Sequence, residues 1–156
     1  IKAPRFASKA QIYSFINTKT DWIKKTQKKV KERGARLATV GKLTETELKE
    51  LVAAAKEHIP ERVAYFAPAV GVKYGKITIR KQRSRWGSCS SAGNLSFNAL
   101  LMLAPPEVLD GVVVHELCHT LHKNHGAKFH QLLDRLTGGK HPQLRQELKN
   151  YTTRWR

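Results

Sequence analysis

Acidic residues are scarce in this chain, and so are cysteine and methionine. Only 12 Asp and Glu stand against 29 Lys and Arg, a formal net charge of +17 over 156 residues. Such an imbalance favours anionic partners: nucleic acid, nucleotides or acidic surfaces. A solvated surface that is merely basic satisfies the same numbers. Two cysteines, Cys89 and Cys118, allow one disulfide at most and exclude a disulfide framework. Their scarcity reads as a reducing compartment, the cytoplasm. No apolar run approaches the roughly 20 residues of a membrane helix, so a membrane span is excluded. The first residues are charged and lack the apolar core of a signal peptide. The chain begins at Ile1, which reads as a fragment of a longer protein.

What is present is enough for one domain with a hydrophobic core, since 40% of the residues are hydrophobic. The periodicity divides it into a helical part, 8–72, and a second part, 73–156. Ser8 to about Arg33 carries Ile12, Phe15, Ile16, Trp22, Ile23 and Val30 at helical intervals. Lys24, Lys25, Lys28, Lys29 and Lys31 cover its other face. A second helix begins at Thr44, which forms a capping box with Glu47. Pro60 is expected to kink or restart it, and Gly71 to end it. Ile77 to Arg80 and Leu95 to Asn98 alternate as strands, joined by a Ser- and Gly-rich loop. They are expected to be antiparallel neighbours, with Leu100 to Leu103 prolonging the second. Pro105-Pro106 then opens a helix with proline in its first turn. Shorter helical patterns follow around Phe129–Leu136 and Leu144–Tyr151, separated by Gly138-Gly139.

The chemistry concentrates in VVVHELCHTLHKNHG, Val112 to Gly126. His115-Glu116-Leu117-Cys118-His119 is an H-E-x-x-H motif. On a helix His119 sits about 40° round and about 6 Å up from His115, so both imidazoles reach one metal ion. Glu116 lies at the edge of that face, placed to accept a proton from water on the metal without ligating it. A catalytic zinc needs a third protein ligand. His122 would point along the same face but lies about 10 Å along the axis from His115, too far for one ion. It is better suited to contact a ligand or the substrate. The spacing of His125 is that of the third histidine in metzincins, and it serves only if the helix breaks first. Asn124 and Gly126, types that tolerate left-handed turns, mark the expected break. Glu147 is an alternative third ligand, with Asp134 and His130 behind it. Cys118 is an awkward fourth ligand for a closed structural site. The sole methionine, Met102, lies upstream, so a metzincin Met-turn is absent. His58 and His141 read as ordinary surface or core histidines. Three neutral ligands and one open position are the parts of a hydrolase, in which Glu116 would relay a proton to the leaving group.

The run from Arg83-Ser84-Arg85-Trp86-Gly87-Ser88-Cys89 through HELCH-x-x-H-x-N-H-G to Phe129 resembles the YgjP-like family of metal-dependent hydrolases. That family is similar to the SprT and WLM metallopeptidases. The likeness is strong from Lys73 to Phe129 and extends to Trp22-Ile23-Lys24-Lys25. It implies an α+β, zincin-like metallopeptidase fold, with the active-site helix packed on a short antiparallel sheet and helices at the N-terminus. The whole chain, 1–156, would be one such domain, without the β-region that precedes the first helix in relatives. It further implies His115, His119 and His125 as ligands of one zinc or other divalent ion, with Glu116 as the catalytic base. Gly126 stands where relatives carry serine or a similar small residue. Arg83 and Arg85 would grip an anionic substrate or buttress their loop, and Trp86 and Cys89 would pack. The leading function is a zinc metallopeptidase with a peptide substrate. Hydrolysis of a nucleoside triphosphate or other phosphoanhydride is the alternative. A third reading, by analogy with SprT and WLM, is a protease acting on DNA-bound proteins.

Overall fold

A computed structural model describes residues 43–82 and 84–151, which all belong to one compact unit beginning at Gly41. The helix expected from Ser8 to Arg33 lies outside the described residues, as does Arg83.

Helix α1, Glu45–Val70, starts where its capping box directs. The Glu47 N–H donates to Thr44 Oγ1 at 3.2 Å, and the Thr44 N–H donates to Glu47 Oε2 at 2.7 Å. The Thr44 N–H, and the Thr44 hydroxyl donating to the same oxygen at 2.8 Å, hold the Glu47 carboxyl below its usual range. The expected interruption at Pro60 does not occur, because the helix runs through Pro60 and Pro68. Ala55, Ile59, Val63, Ala67 and Val70 form its buried stripe, and that burial outweighs the hydrogen bonds each proline removes. Gly71, at φ 76°, closes the helix in a left-handed conformation that a side chain would strain.

Three strands follow: β1, Ile77–Arg80; β2, Gly87–Cys89; and β3, Leu95–Asn98. Their order is β1-β3-β2. The antiparallel pairing belongs to β2 and β3, with Gly87 opposite Phe97 and Cys89 opposite Leu95. The two strands legible in the sequence, β1 and β3, are parallel, not antiparallel. The loop between them holds a third strand, so the chain has already reversed once before β3 is laid down. Leu95 and Phe97 face the core, and Ser96 and Ser88 face away as a pair across the sheet.

The expected extension of β3 is instead a 3-10 segment, Ala99–Leu103. Asn98 causes the change. Its side-chain oxygen accepts from the Leu100 N–H at 3.1 Å, and its Nδ2 donates to the carbonyls of Gln82 and Arg85 at 2.7 and 3.2 Å. Helix α2, Pro106–Leu121, then crosses the core with Val108, Leu109, Val112, Val113, Val114, Leu117 and Cys118 all buried. Arg62 on α1 makes a bidentate pair with Asp110 on α2, both contacts 2.8 Å. Helices α3, Ala127–Thr137, and α4, His141–Leu148, complete the unit. The α+β class and the packing of α2 on the short sheet agree with the sequence-based expectation.

Candidate active site

Helix α2 carries the motif because its apolar residues need a core on nearly every side. That burial leaves His115, Glu116 and His119 at one boundary. His115 and His119 stand one turn apart with ring centroids 4.9 Å from each other. The helix ends at Leu121, and His122 turns extended at φ −123°, ψ 99°. The break therefore comes earlier than Asn124 and uses no left-handed residue. Among the described residues no non-glycine has positive φ, and Gly126 is extended at φ −82°, ψ −177°. Lys123 ties this turn to the β2–β3 connection, donating to the Ser90 carbonyl at 3.1 Å.

The turn brings His125 back onto the helix. Its Nε2 lies 3.1 Å from His115 Nε2 and 3.2 Å from His119 Nε2. The ligand atoms of the three residues all lie within 4.8 Å of one another. Bonds of about 2.0–2.1 Å to a tetrahedral zinc would place two nitrogens about 3.3 Å apart. The donor set thus fits a zinc-sized ion. His119 is held in the useful tautomer, its Nδ1–H donating to the His122 carbonyl at 2.9 Å, which leaves Nε2 with a lone pair. His122 serves here through its backbone. Phe129, fully buried, lies beneath all three imidazoles at centroid distances of 5.0, 4.6 and 4.7 Å.

The surroundings keep His115 and His125 neutral. Burial first, then the neighbouring histidines and Arg145, push His115 down to about 3. Burial also lowers His125. Neutral imidazole is the form that ligates a metal.

Glu116 is 6% exposed. Burial pushes its carboxyl up to about 7, and the Arg85 cation opposes that rise. Among the described residues it has no hydrogen-bond partner, and its position is set by packing against Gly87 of β2. A cavity of 490 Å³ opens beside it, walled by α2, β2 and α4.

Cys118 is fully buried, its thiol pushed up to about 11 by burial, so it stays protonated and away from the histidines. Cys118 and Cys89 are both free. Glu147 and Asp134 lie outside the three-histidine group, and His130 stands with its ring 6.4 Å from that of His125. Arg85 is exposed and lines a groove on the far face of the sheet with Lys76 and Arg80, although its charge is felt at Glu116. His58 is a surface residue, 3.8 Å from Glu61.

His141 is the residue that sequence reasoning missed. It is neither plain surface nor plain core. Its ring stacks on His115 at 5.5 Å, and its Nδ1 is buried without a partner. It lies far down the chain from the motif, so no short spacing announced it. The available signal was the helical stripe His141, Leu144, Arg145, Leu148.

A site of this kind belongs to hydrolases that work through a metal ion. The comparisons narrow that class. The family model for the YgjP-like metallopeptidase domain matches residues 42–151, and the chain belongs to that family. It is a metallopeptidase and acts as a metal-dependent hydrolase. A solved structure, the metallopeptidase zymogen of Methanocaldococcus jannaschii jannalysin, is similar at 25% identity, covering 51% of this chain and 81% of that one with a TM-score of 0.46. No curated protein matches the chain.

Proposed function

We propose that this protein is a zinc-dependent peptidase in which Glu116 is the general base. The convergence of three imidazole nitrogens on one point carries the reading. His115, His119 and His125 would hold the ion through Nε2. When bound, zinc would supply Lewis-acid polarisation of the scissile carbonyl and acidify water. Glu116 takes a proton from the attacking water on a carboxylate oxygen and hands it to the departing amine nitrogen. A carboxyl near 7 suits both halves of that relay at neutral pH. The His122 carbonyl keeps the His119 ring aimed while the ligands work.

A peptide substrate is supported by the sheet. Among the described residues β2 is an edge strand, and its Gly87 touches Glu116. An extended peptide can add to such an edge with its backbone beside the carboxyl. The phosphoanhydride reading loses support because Arg85 lines the outer groove and not the cavity.

Metal analysis of the purified protein, paired with a peptide screen and a nucleotide screen, tests the reading. We expect one zinc per chain and peptide cleavage that falls by at least about 100-fold in Glu116→Gln, metal retained. Phosphate release from nucleotides without peptide cleavage would overturn it.

A further inference from the structure

None of the three histidines of the site comes from α4, nor does Glu116, yet α4 forms one wall of the cavity. Positions i, i+3, i+4 and i+7 share a helix face, and α4 turns His141, Leu144, Arg145 and Leu148 into the cavity. Two of these are apolar and two carry N–H groups. The buried His141 Nδ1 has no partner. Among the described residues Arg145 has no ion pair or hydrogen bond. The groups that feel its charge are His115, His125 and His141, all of which it helps keep neutral. Among the described residues the only carboxyl lining the cavity is Glu116, which faces β2 and the Arg85 charge.

Asp134 acts on His141, but among the described residues no carboxylate pairs with the Arg145 guanidinium, one helical turn from that imidazole, so the pair is short of an acceptor. A planar carboxylate matches the guanidinium fork and can also take a hydrogen from the imidazole. The stacking of His141 on His115 at 5.5 Å puts this pair beside the reaction centre.

We propose that the α4 face is a specificity wall that recognises a substrate carboxylate next to the scissile bond. Arg145 and His141 hold the carboxylate, and Leu144 and Leu148 pack against the apolar side chain that accompanies it. The proposal rests on the peptidase reading and names the kind of peptide taken. The carboxylate comes from the peptide's own C-terminus or from an Asp or Glu side chain.

Two matched peptide pairs distinguish these sources. One pair ends in leucine as the free acid or as the amide. The other is longer and differs only by Asp or Asn beside the scissile bond. Cleavage of each is measured with the wild type, Arg145→Gln and Arg145→Lys, and binding of each to Glu116→Gln is measured by calorimetry. We expect the wild type to favour the carboxylate member of one pair by about tenfold in kcat/KM, and Glu116→Gln to show the same order in binding. The pair that shows the preference identifies the source. Arg145→Gln brings that ratio close to one, and Arg145→Lys keeps part of it, retaining the charge without the fork. Arg145 is exposed, so these substitutions leave the fold alone. Equal cleavage within both pairs by the wild type, or a preference that survives Arg145→Gln, overturns the proposal and leaves the peptidase reading standing. If no peptide is cleaved or bound at all, the peptidase reading falls and takes the proposal with it.

Discussion

The carboxyl of Glu116 occupies the space that a side chain on residue 87 would fill. A Cβ added to Gly87 would lie 2.6 Å from both Cγ and Oε1 of Glu116. The glycine of β2 is therefore part of how the carboxyl is aimed.

Gly87→Ala is expected to displace that carboxyl while leaving the histidines in place. Peptide cleavage should fall by at least about tenfold with zinc content unchanged, as misplacement of a catalytic group predicts. Activity and metal content measured on one preparation decide it. Unchanged cleavage would mean that the orientation of Glu116 does not depend on β2.

Phe129 is both core and platform. Phe129→Ala should destabilise the protein by about 3–5 kcal/mol, the usual cost of emptying a buried aromatic site. Phe129→Leu fills much of the volume but removes the ring on which His119 stacks and which His115 and His125 meet edge-on. It should lower stability less and weaken zinc retention against a chelator. Denaturant melts and chelator titration separate the two effects.

Burial of Glu116 has a sign that stability can report in metal-free protein. Its folded-state pKa, about 7, lies above the ordinary 4.5, so the folded state binds this proton more tightly than the unfolded one. The group therefore destabilises the fold progressively as pH rises from about 4.5 through about 7, by up to about 3 kcal/mol. Glu116→Gln removes that dependence. The variant should be more stable than the wild type above pH 7, and the gap should close towards pH 4. A gap that does not vary with pH would contradict the burial argument.

Asn98 joins the loop before β2 to the end of β3. Asn98→Ala leaves the Gln82 and Arg85 carbonyls without that donor and the Leu100 N–H without its cap. A loss of about 2–3 kcal/mol follows from unmaking buried hydrogen bonds. Thermal or denaturant unfolding measures it.

The H-E-x-x-H helix, its proline-led start, the capping box at Thr44 and the return of His125 were all legible beforehand. Each depends on residues a few positions apart, where helix geometry or local hydrogen bonding leaves little choice. The strand β2 was hidden because Gly-Ser-Cys has neither alternation nor bulk. It exists because Phe97 and Leu95 present a partner edge and because Glu116 needs a residue with no side chain. The parallel pairing of β1 and β3 depends on β2, so it was hidden for the same reason. Pro60 misled because the local cost of proline was weighed without the buried stripe that outweighs it.

By itself the sequence determined the spacing of the three histidines, the place of Glu116 beside them and the family resemblance, because a helical turn converts residue number directly into direction. Only the tertiary structure decided where the helix ends, what lies against Glu116, and that His141 and Arg145 stand at the same cavity. Those relationships join segments far apart in the chain. They are set by which apolar faces bury one another, and no local spacing records that.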